Sequence, residues 1–500
     1  MTDQAPGLTQ VSSGIGGLDE LLRGGFLTNR MYLVVGGPGS GKTTLGAHFM
    51  HAGLDAGETG LFIHGEESAT EIRTNAGQFG IDLSDATFLD LGPDSEFFTE
   101  DRSYDLVDPG DIETERHTGR IRDAVREIDP DRLVLDPVTQ LRYVEASEQH
   151  YRKRLLAFIR FLKSRDITVL GTVTIDTSRN DMSSTRSLSD GVIELTETAQ
   201  GRRINVQKNR GVGQERGDHG MEIREHGIEV FPRLTPDVAA DRAFPSEAIS
   251  SGVPELDALT GGGFERGTAT FITGPSGVGK TTVGSLFLRE AARTGGSAII
   301  YQFEERTDVF EHRCRSIGLS VDELTADGRL RLQRIEPLSM SAEEFARTVQ
   351  RDVATHEPDA VMIDGYTGYT AAIQGDPDEL TDDLHALIRY LDTQNVAIFV
   401  TDAIHQITGI SSATSHNISM IADNLIFLTY IELEGRLSRV IGVLKKRTGS
   451  FETTLREFEI TSDGVRLGRP LDDLHGVLQG NVRVRDRSEP RSDGGADQHR

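Results

Sequence analysis

The run Ser13-Gly14-Ile15-Gly16-Gly17-Leu18-Asp19-Glu20-Leu21 returns as Ser251-Gly252-Val253-Pro254-Glu255-Leu256-Asp257-Ala258-Leu259. Each copy runs on to a glycine cluster and a phenylalanine, Phe26 or Phe264, and the offset is 238 residues. The same offset joins Lys42 to Lys280 and Glu66-Glu67 to Glu304-Glu305. An in-register repeat of domain length marks a duplicated domain, and a chain of 500 residues is too long for one hydrophobic core in any case. Between the copies, Leu234 to Ser246 carries two prolines, Pro236 and Pro245, and no apolar period, which reads as an extended connection. The expected organisation is a first domain over 1–234, a linker over 235–247, a second domain over 248–478 and a disordered tail over 479–500.

Within each copy, short apolar runs alternate with helical patterns. In the first they are Met31 to Val35, Leu61 to His64, Leu133 to Leu135 and Val169 to Val173; in the second, Ala269 to Thr273, Ala298 to Phe303, Ala360 to Ile363 and Ala397 to Val400. Apolar β-rich runs between amphipathic helices predict an α/β fold, a mainly parallel sheet with helices on both faces, built twice.

Gly36-Gly37-Pro38-Gly39-Ser40-Gly41-Lys42-Thr43 and Gly274-Pro275-Ser276-Gly277-Val278-Gly279-Lys280-Thr281 both have the Walker A spacing, each after a strand and before a helix. In such a P-loop the backbone N–H groups wrap the phosphates, the lysine reaches the outer ones and the threonine hydroxyl ligates magnesium. The expected nucleotide contacts are Gly39, Ser40, Gly41, Lys42, Thr43 and Thr44, and Gly277, Val278, Gly279, Lys280, Thr281 and Thr282. Asp136 and Asp364 each end an apolar strand after a Pro-Asp pair, the Walker B arrangement, and with Thr43 and Thr281 are the predicted magnesium ligands. Glu66-Glu67 and Glu304-Glu305 follow the second strand of each copy, where open α/β sheets hold their ligands. A carboxylate there can orient the water that attacks the γ-phosphate or accept its proton.

Composition sharpens this reading. Acidic residues number 79 against 53 basic, a formal charge of −26, and seven of the 53 are lysine. The acids spread along the whole chain, as a protein of a salt-loaded cytoplasm requires, so a halophile is the expected source. The absence of a basic cluster argues against a nucleic-acid partner. A lone cysteine, Cys314, excludes an intramolecular disulfide and reads as inert. No apolar run follows Met1 or approaches the ~18 residues of a membrane span, so a cytoplasmic protein is expected.

The doubled P-loop, doubled glutamate pair, doubled Walker B aspartate and repeated Ser-Gly-x-x-x-Leu-Asp-x-Leu opening together resemble the KaiC family of double-domain RecA-like ATPases, over about Ser12 to Leu474. That resemblance implies ATP and magnesium as cofactors, with Glu66 and Glu304 as general bases and Glu67 and Glu305 supporting the magnesium sites. It implies a homohexamer in which a Lys-x-Arg strand of one subunit completes the neighbour's site. Those roles fall on Lys208 with Arg210 and Lys445 with Arg447, with Arg202 and Arg439 six residues upstream as further candidates. Four of the seven lysines then lie at predicted ATP contacts. It also implies a phosphosite in the second domain: Ser419 takes the serine position, whereas Met420 replaces the threonine and removes a two-site cycle. Signalling proteins such as kinases or response regulators are the implied partners. Two other readings share parts of this pattern. A RecA or RadA recombinase would need basic DNA-contacting loops, and a non-hydrolysing ATP-sensing scaffold would bind ATP without releasing phosphate.

Overall fold

The computed structural model describes residues 9–92, 109–141, 148–175, 183–198, 201–235, 247–375, 377–404, 421–433, 435–472, 474–477 and 483–484. The chain divides into two compact units, 1–233 and 234–500.

In the first unit the sheet strands are β1 (Met31–Gly36), β2 (Gly60–His64), β3 (Thr87–Asp90), β4 (Arg132–Asp136), β5 (Thr168–Thr174), β6 (Gly191–Thr198), β7 (Gly201–Asn209), β8 (His219–Arg224) and β9 (Gly227–Phe231). They form one sheet in the order β3-β2-β4-β5-β1-β6-β7-β8-β9. The strands from β3 to β6 are parallel, and β7, β8 and β9 add an antiparallel wing. Helices α1 (Lys42–Asp55) and α2 (Ala69–Gln78) cover one face, and α3 (Pro109–Ile128) and α4 (Glu148–Lys163) the other. All of β1 is buried, as a central strand covered on both faces must be.

The second unit repeats this plan. Its strands are β10 (Ala269–Gly274), β11 (Ala298–Gln302), β12 (Leu330–Arg334), β13 (Ala360–Asp364), β14 (Ala397–Ala403), β15 (Asn424–Leu433), β16 (Arg436–Lys446), β17 (Arg456–Thr461) and β18 (Gly464–Pro470). Their order, β12-β11-β13-β14-β10-β15-β16-β17-β18, is that of the first sheet strand for strand. Helices α5 (Lys280–Arg293) and α6 (Thr307–Ser316) lie on one face, α7 (Ala342–His356) and α8 (Pro377–Thr393) on the other. Phe287 of α5 stacks on Phe399 of β14 at 5.0 Å, and each such buried ring contributes on the order of 2 kcal/mol to the core.

The expected α/β fold, two RecA-like domains each with a mainly parallel sheet, is the observed one, but the antiparallel wings were not foreseen. The repeated opening motif also acquires a structural cause. Asp19 accepts hydrogen bonds from Ser12 Oγ (2.6 Å) and Ser13 N (2.7 Å), and Asp257 from Ser250 Oγ (2.5 Å) and Ser251 N (2.7 Å). The motif therefore cages an aspartate that shapes the entry turn of each domain. Residues 236–246, within the expected linker, lie outside the described residues. Arg483–Val484, inside the stretch expected to be a disordered tail, instead pairs antiparallel with Leu474–His475, its backbone groups satisfied by that ladder. Among the described residues no helix is long and apolar enough to cross a membrane.

Candidate functional site

Each phosphate loop leaves the C-terminal end of a central strand, β1 or β10, and enters α1 or α5. Gly41 and Gly279 cap these helices in the left-handed region, φ +97° and +114°, where a side chain is strained. A Cβ would also meet Ile223 Cδ1 at 2.9 Å in the first domain and Ile460 Cδ1 at 2.9 Å in the second. The loop lysines fold back over the loops: Lys42 Nζ donates to Gly37 O at 2.7 Å, and Lys280 Nζ to Gly274 O at 2.9 Å and Pro275 O at 3.1 Å. Burial lowers both ammonium pKa values. The carboxylates of Asp136 and Glu66 oppose this in the first site, and those of Glu304, Asp364 and Asp402 in the second.

Strand register brings the remaining groups to this edge. His64 at the end of β2 pairs with Asp136 at the end of β4, and Gln302 with Asp364, so the glutamate pairs emerge beside the Walker B aspartates. In the first copy a capping box on α2, Ser68 with Glu71, fixes where the chain turns after Glu67. In the second copy Thr281 Oγ1 donates to Asp364 Oδ1 at 2.8 Å. Burial pushes the Asp364 carboxyl up to about 6, against the bonds from Thr281 and Thr401 that favour the ionised form. In the first site burial, then the charge of Asp136, raises the pKa of Glu67. Among the described residues no three His, Cys, Asp or Glu side chains form a metal-binding group. A magnesium ion held by one hydroxyl, one carboxylate, phosphates and water needs none, and the hard oxygen pair Thr281 and Asp364 fits it.

Sequence reasoning missed a threonine on the strand between loop and Walker B strand. Thr172 Oγ1 donates to Asp136 Oδ1, and Thr401 Oγ1 to Asp364 Oδ1 at 2.9 Å. A lone hydroxyl, within the apolar run 169–173 in one copy and directly after the run 397–400 in the other, was the available signal. It also missed Asn75 and Arg313, the partners of Glu67 and Glu305.

The Lys-x-Arg pairs sit on the wing rather than at the phosphate loops. In both copies a β-bulge precedes the lysine: Val192 pairs with Lys208 but Ile193 with Val206, and Leu425 with Lys445 but Ile426 with Val443. Such an extra residue re-aims the strand end. Lys208 Nζ donates to the carbonyls of Arg186 (2.9 Å), Ser187 (3.2 Å) and Ser189 (2.6 Å), while Arg210 Nη2 donates to Ser187 O at 3.3 Å. Lys445 Nζ donates to Ala422 O at 2.5 Å, and Arg447 Nη1 to Asp423 Oδ1 at 3.0 Å. Asp423 in turn accepts from Ala269 N at 3.0 Å, and Asp190 from Met31 N at 3.0 Å, so these aspartates tie β15 and β6 to the loop-bearing strands. Arg202 Nη2 donates to Glu197 at 3.4 Å, and Arg439 lies 5.8 Å from the Tyr430 ring. Cys314 is buried, and burial pushes its thiol up to about 11, an unreactive state. Ser419 lies outside the described residues.

The profile of the KaiC ATPase matches the chain twice, over residues 11–235 and 249–472. The chain is 28% identical to the circadian clock oscillator protein KaiC of Parasynechococcus marenigrum (strain WH8102) over 513 residues, covering 97% of each. It is 27% identical to the circadian clock oscillator protein KaiC 1 of Synechocystis sp. (strain ATCC 27184 / PCC 6803 / Kazusa) over 504 residues, covering 97% of this chain and 94% of that one.

Proposed function

Since the chain belongs to the KaiC ATPase family, we propose that it is a ring-forming regulatory ATPase whose two nucleotide sites, each closed by magnesium, drive changes of assembly and partner binding. One observation carries this reading: two P-loops, each facing a Walker B aspartate and a glutamate pair at the same sheet edge, occur in two domains of identical strand order. In each site the loop lysine and helix N-terminus take the phosphates, threonine and aspartate hold magnesium, and Glu66 or Glu304 orients the attacking water.

Lys208 with Arg210, and Lys445 with Arg447, are the groups we assign to a neighbouring subunit's nucleotide. They already carry intrachain bonds, so assembly would exchange those for phosphate contacts. The partners are signalling proteins, and the acid-rich composition suits the chain to a salt-rich cytoplasm. Phosphate release and native mass, measured together in molar salt with and without ATP and magnesium, test this. Release with an ATP-dependent hexamer mass is expected. A monomer under all conditions overturns the ring, and no release leaves an ATP-sensing scaffold. Autophosphorylation at Ser419 is read separately, by peptide mapping after incubation with ATP.

A further inference from the structure

Because the two ATP sites are copies in one chain, a difference at a matched position is an internal comparison. Positions 75 and 313 keep the 238-residue offset of the glutamate pairs and lie on the helices that follow them, α2 and α6. The first copy has asparagine there. Asn75 Nδ2 donates one long hydrogen bond to Glu67 Oε2, at 3.3 Å. The second copy has arginine, and its contacts are of another kind. Arg313 Nε and Nη2 donate to Glu305 Oε1 and Oε2 at 3.1 and 2.8 Å, a bidentate fork. Its third nitrogen, Nη1, donates to Thr282 Oγ1 at 3.1 Å. Thr282 is the third residue of α5, the helix that begins with Lys280 and Thr281. The ring of Phe310 lies 5.2 Å from the guanidinium carbon and supports its plane.

We propose that Arg313 is a positioning residue belonging to the second ATP site alone, clamping Glu305 to the phosphate-loop helix so that the two sites of one chain turn over at different intrinsic rates. The inference rests on the ATPase reading of that site. A carboxylate gripped through both oxygens keeps one orientation, whereas one held by a single hydrogen bond from a side-chain amide samples several. Only a planar fork with a spare donor can grip Glu305 and reach Thr282 at once; lysine supplies the charge without that geometry. The grip also couples the loop helix to Glu305, so a shift of Thr282 when nucleotide binds is passed to the carboxylate.

The test uses the full chain carrying Glu66→Gln, so that remaining turnover reports the second site. In that background Arg313→Asn, which imports the first copy's residue, should lower kcat about tenfold while the KM for ATP moves less than about threefold, because an ångström of misplacement costs turnover before it costs binding. The magnesium concentration for half-maximal turnover should rise. Arg313→Lys should leave kcat low, and Thr282→Ala, which removes the hydroxyl anchor and keeps the loop's backbone N–H groups, should give an intermediate fall. Thermal unfolding matched to the parent separates these effects from misfolding, with Thr282→Ala as the readout should Arg313→Asn fail to fold. A kcat for Arg313→Asn within twofold of the parent, or full recovery with Arg313→Lys, overturns the clamp and leaves the ATPase reading standing. A Glu66→Gln parent with no turnover overturns the second site as an ATPase, and the clamp with it.

Discussion

Replacing Asp364 by asparagine should stabilise the nucleotide-free second domain while abolishing its turnover. The carboxyl is 6% exposed, and its Oδ1 accepts hydroxyls from Thr281 and Thr401 at 2.8 and 2.9 Å. Burial holds its pKa at about 6, against 3.8 for the free group. Between those values the folded state keeps a proton that the unfolded chain has lost, so stability falls as the pH rises from about 3.8 to about 6. Above that window the ionised, buried carboxylate costs about 3 kcal/mol, roughly two pKa units at about 1.4 kcal/mol each. Asparagine keeps the volume and the Oδ1 acceptor and carries no charge. In Asp364→Asn, without nucleotide or magnesium, the second domain's unfolding transition should therefore rise by about 3 kcal/mol at pH 7 to 8, on the order of 6–12 °C. The gain should shrink toward zero near pH 4. The chain has no tryptophan, so Phe451→Trp, partly buried against the second domain's core, would report that transition by fluorescence. Magnesium-dependent turnover at that site should be lost, since the ion would lose the Walker B carboxylate. Asp136, only partly buried, supplies the control: Asp136→Asn should barely move the first domain's transition. A variant no more stable than its parent, or one whose gain is equal at pH 4 and pH 8, would refute the burial argument.

Lys42→Ala and Lys280→Ala should each remove nucleotide from one domain only, measured as bound ATP per chain, with the larger loss of assembly in Lys42→Ala; equal native masses for both variants and wild type would refute the asymmetry. Glu66→Gln should cut first-site hydrolysis by about 100-fold or more while ATP binding survives, because loop and magnesium ligands are untouched; full phosphate release would remove Glu66 as general base. His48 tests the first domain's core: its Nε2 accepts from Ile228 N at 2.9 Å, and burial lowers its pKa to about 4. The unfolded chain protonates near 6.5, so stability should be lost as the pH falls from about 6.5 to 4, by up to about 3 kcal/mol. Urea unfolding of His48→Gln should show a shallower loss over that window.

The P-loops, the Walker B aspartates and the glutamate pairs were legible because each is a short motif whose function needs fixed spacing. Their assembly at one sheet edge followed from the alternation of strands and helices. The hydroxyls of Thr172 and Thr401 were not legible, since a threonine in a buried strand reads as a β-branched core residue until strand order sets it beside an aspartate. Arg313 was passed over for a similar reason. Read along the chain it is one of three charges around a cysteine; only the turn of α6 over Glu305 shows what it grips.

By itself the sequence determined that the chain is one α/β domain twice over, with two phosphate-binding loops, because a repeat at a constant offset survives any uncertainty about folding. Tertiary structure decided what depends on strand order and register. The antiparallel wings are local hairpins with weaker patterns than the central strands, and the bulges before Lys208 and Lys445 change side-chain direction without changing composition. The inequivalence of the two sites was decided there as well. Asn75 and Arg313 differ by one substitution in the sequence, but only in three dimensions does the arginine's fork meet both oxygens of one carboxylate and the hydroxyl of another helix. Spacing along a chain carries motifs; contacts across a sheet edge are set by packing.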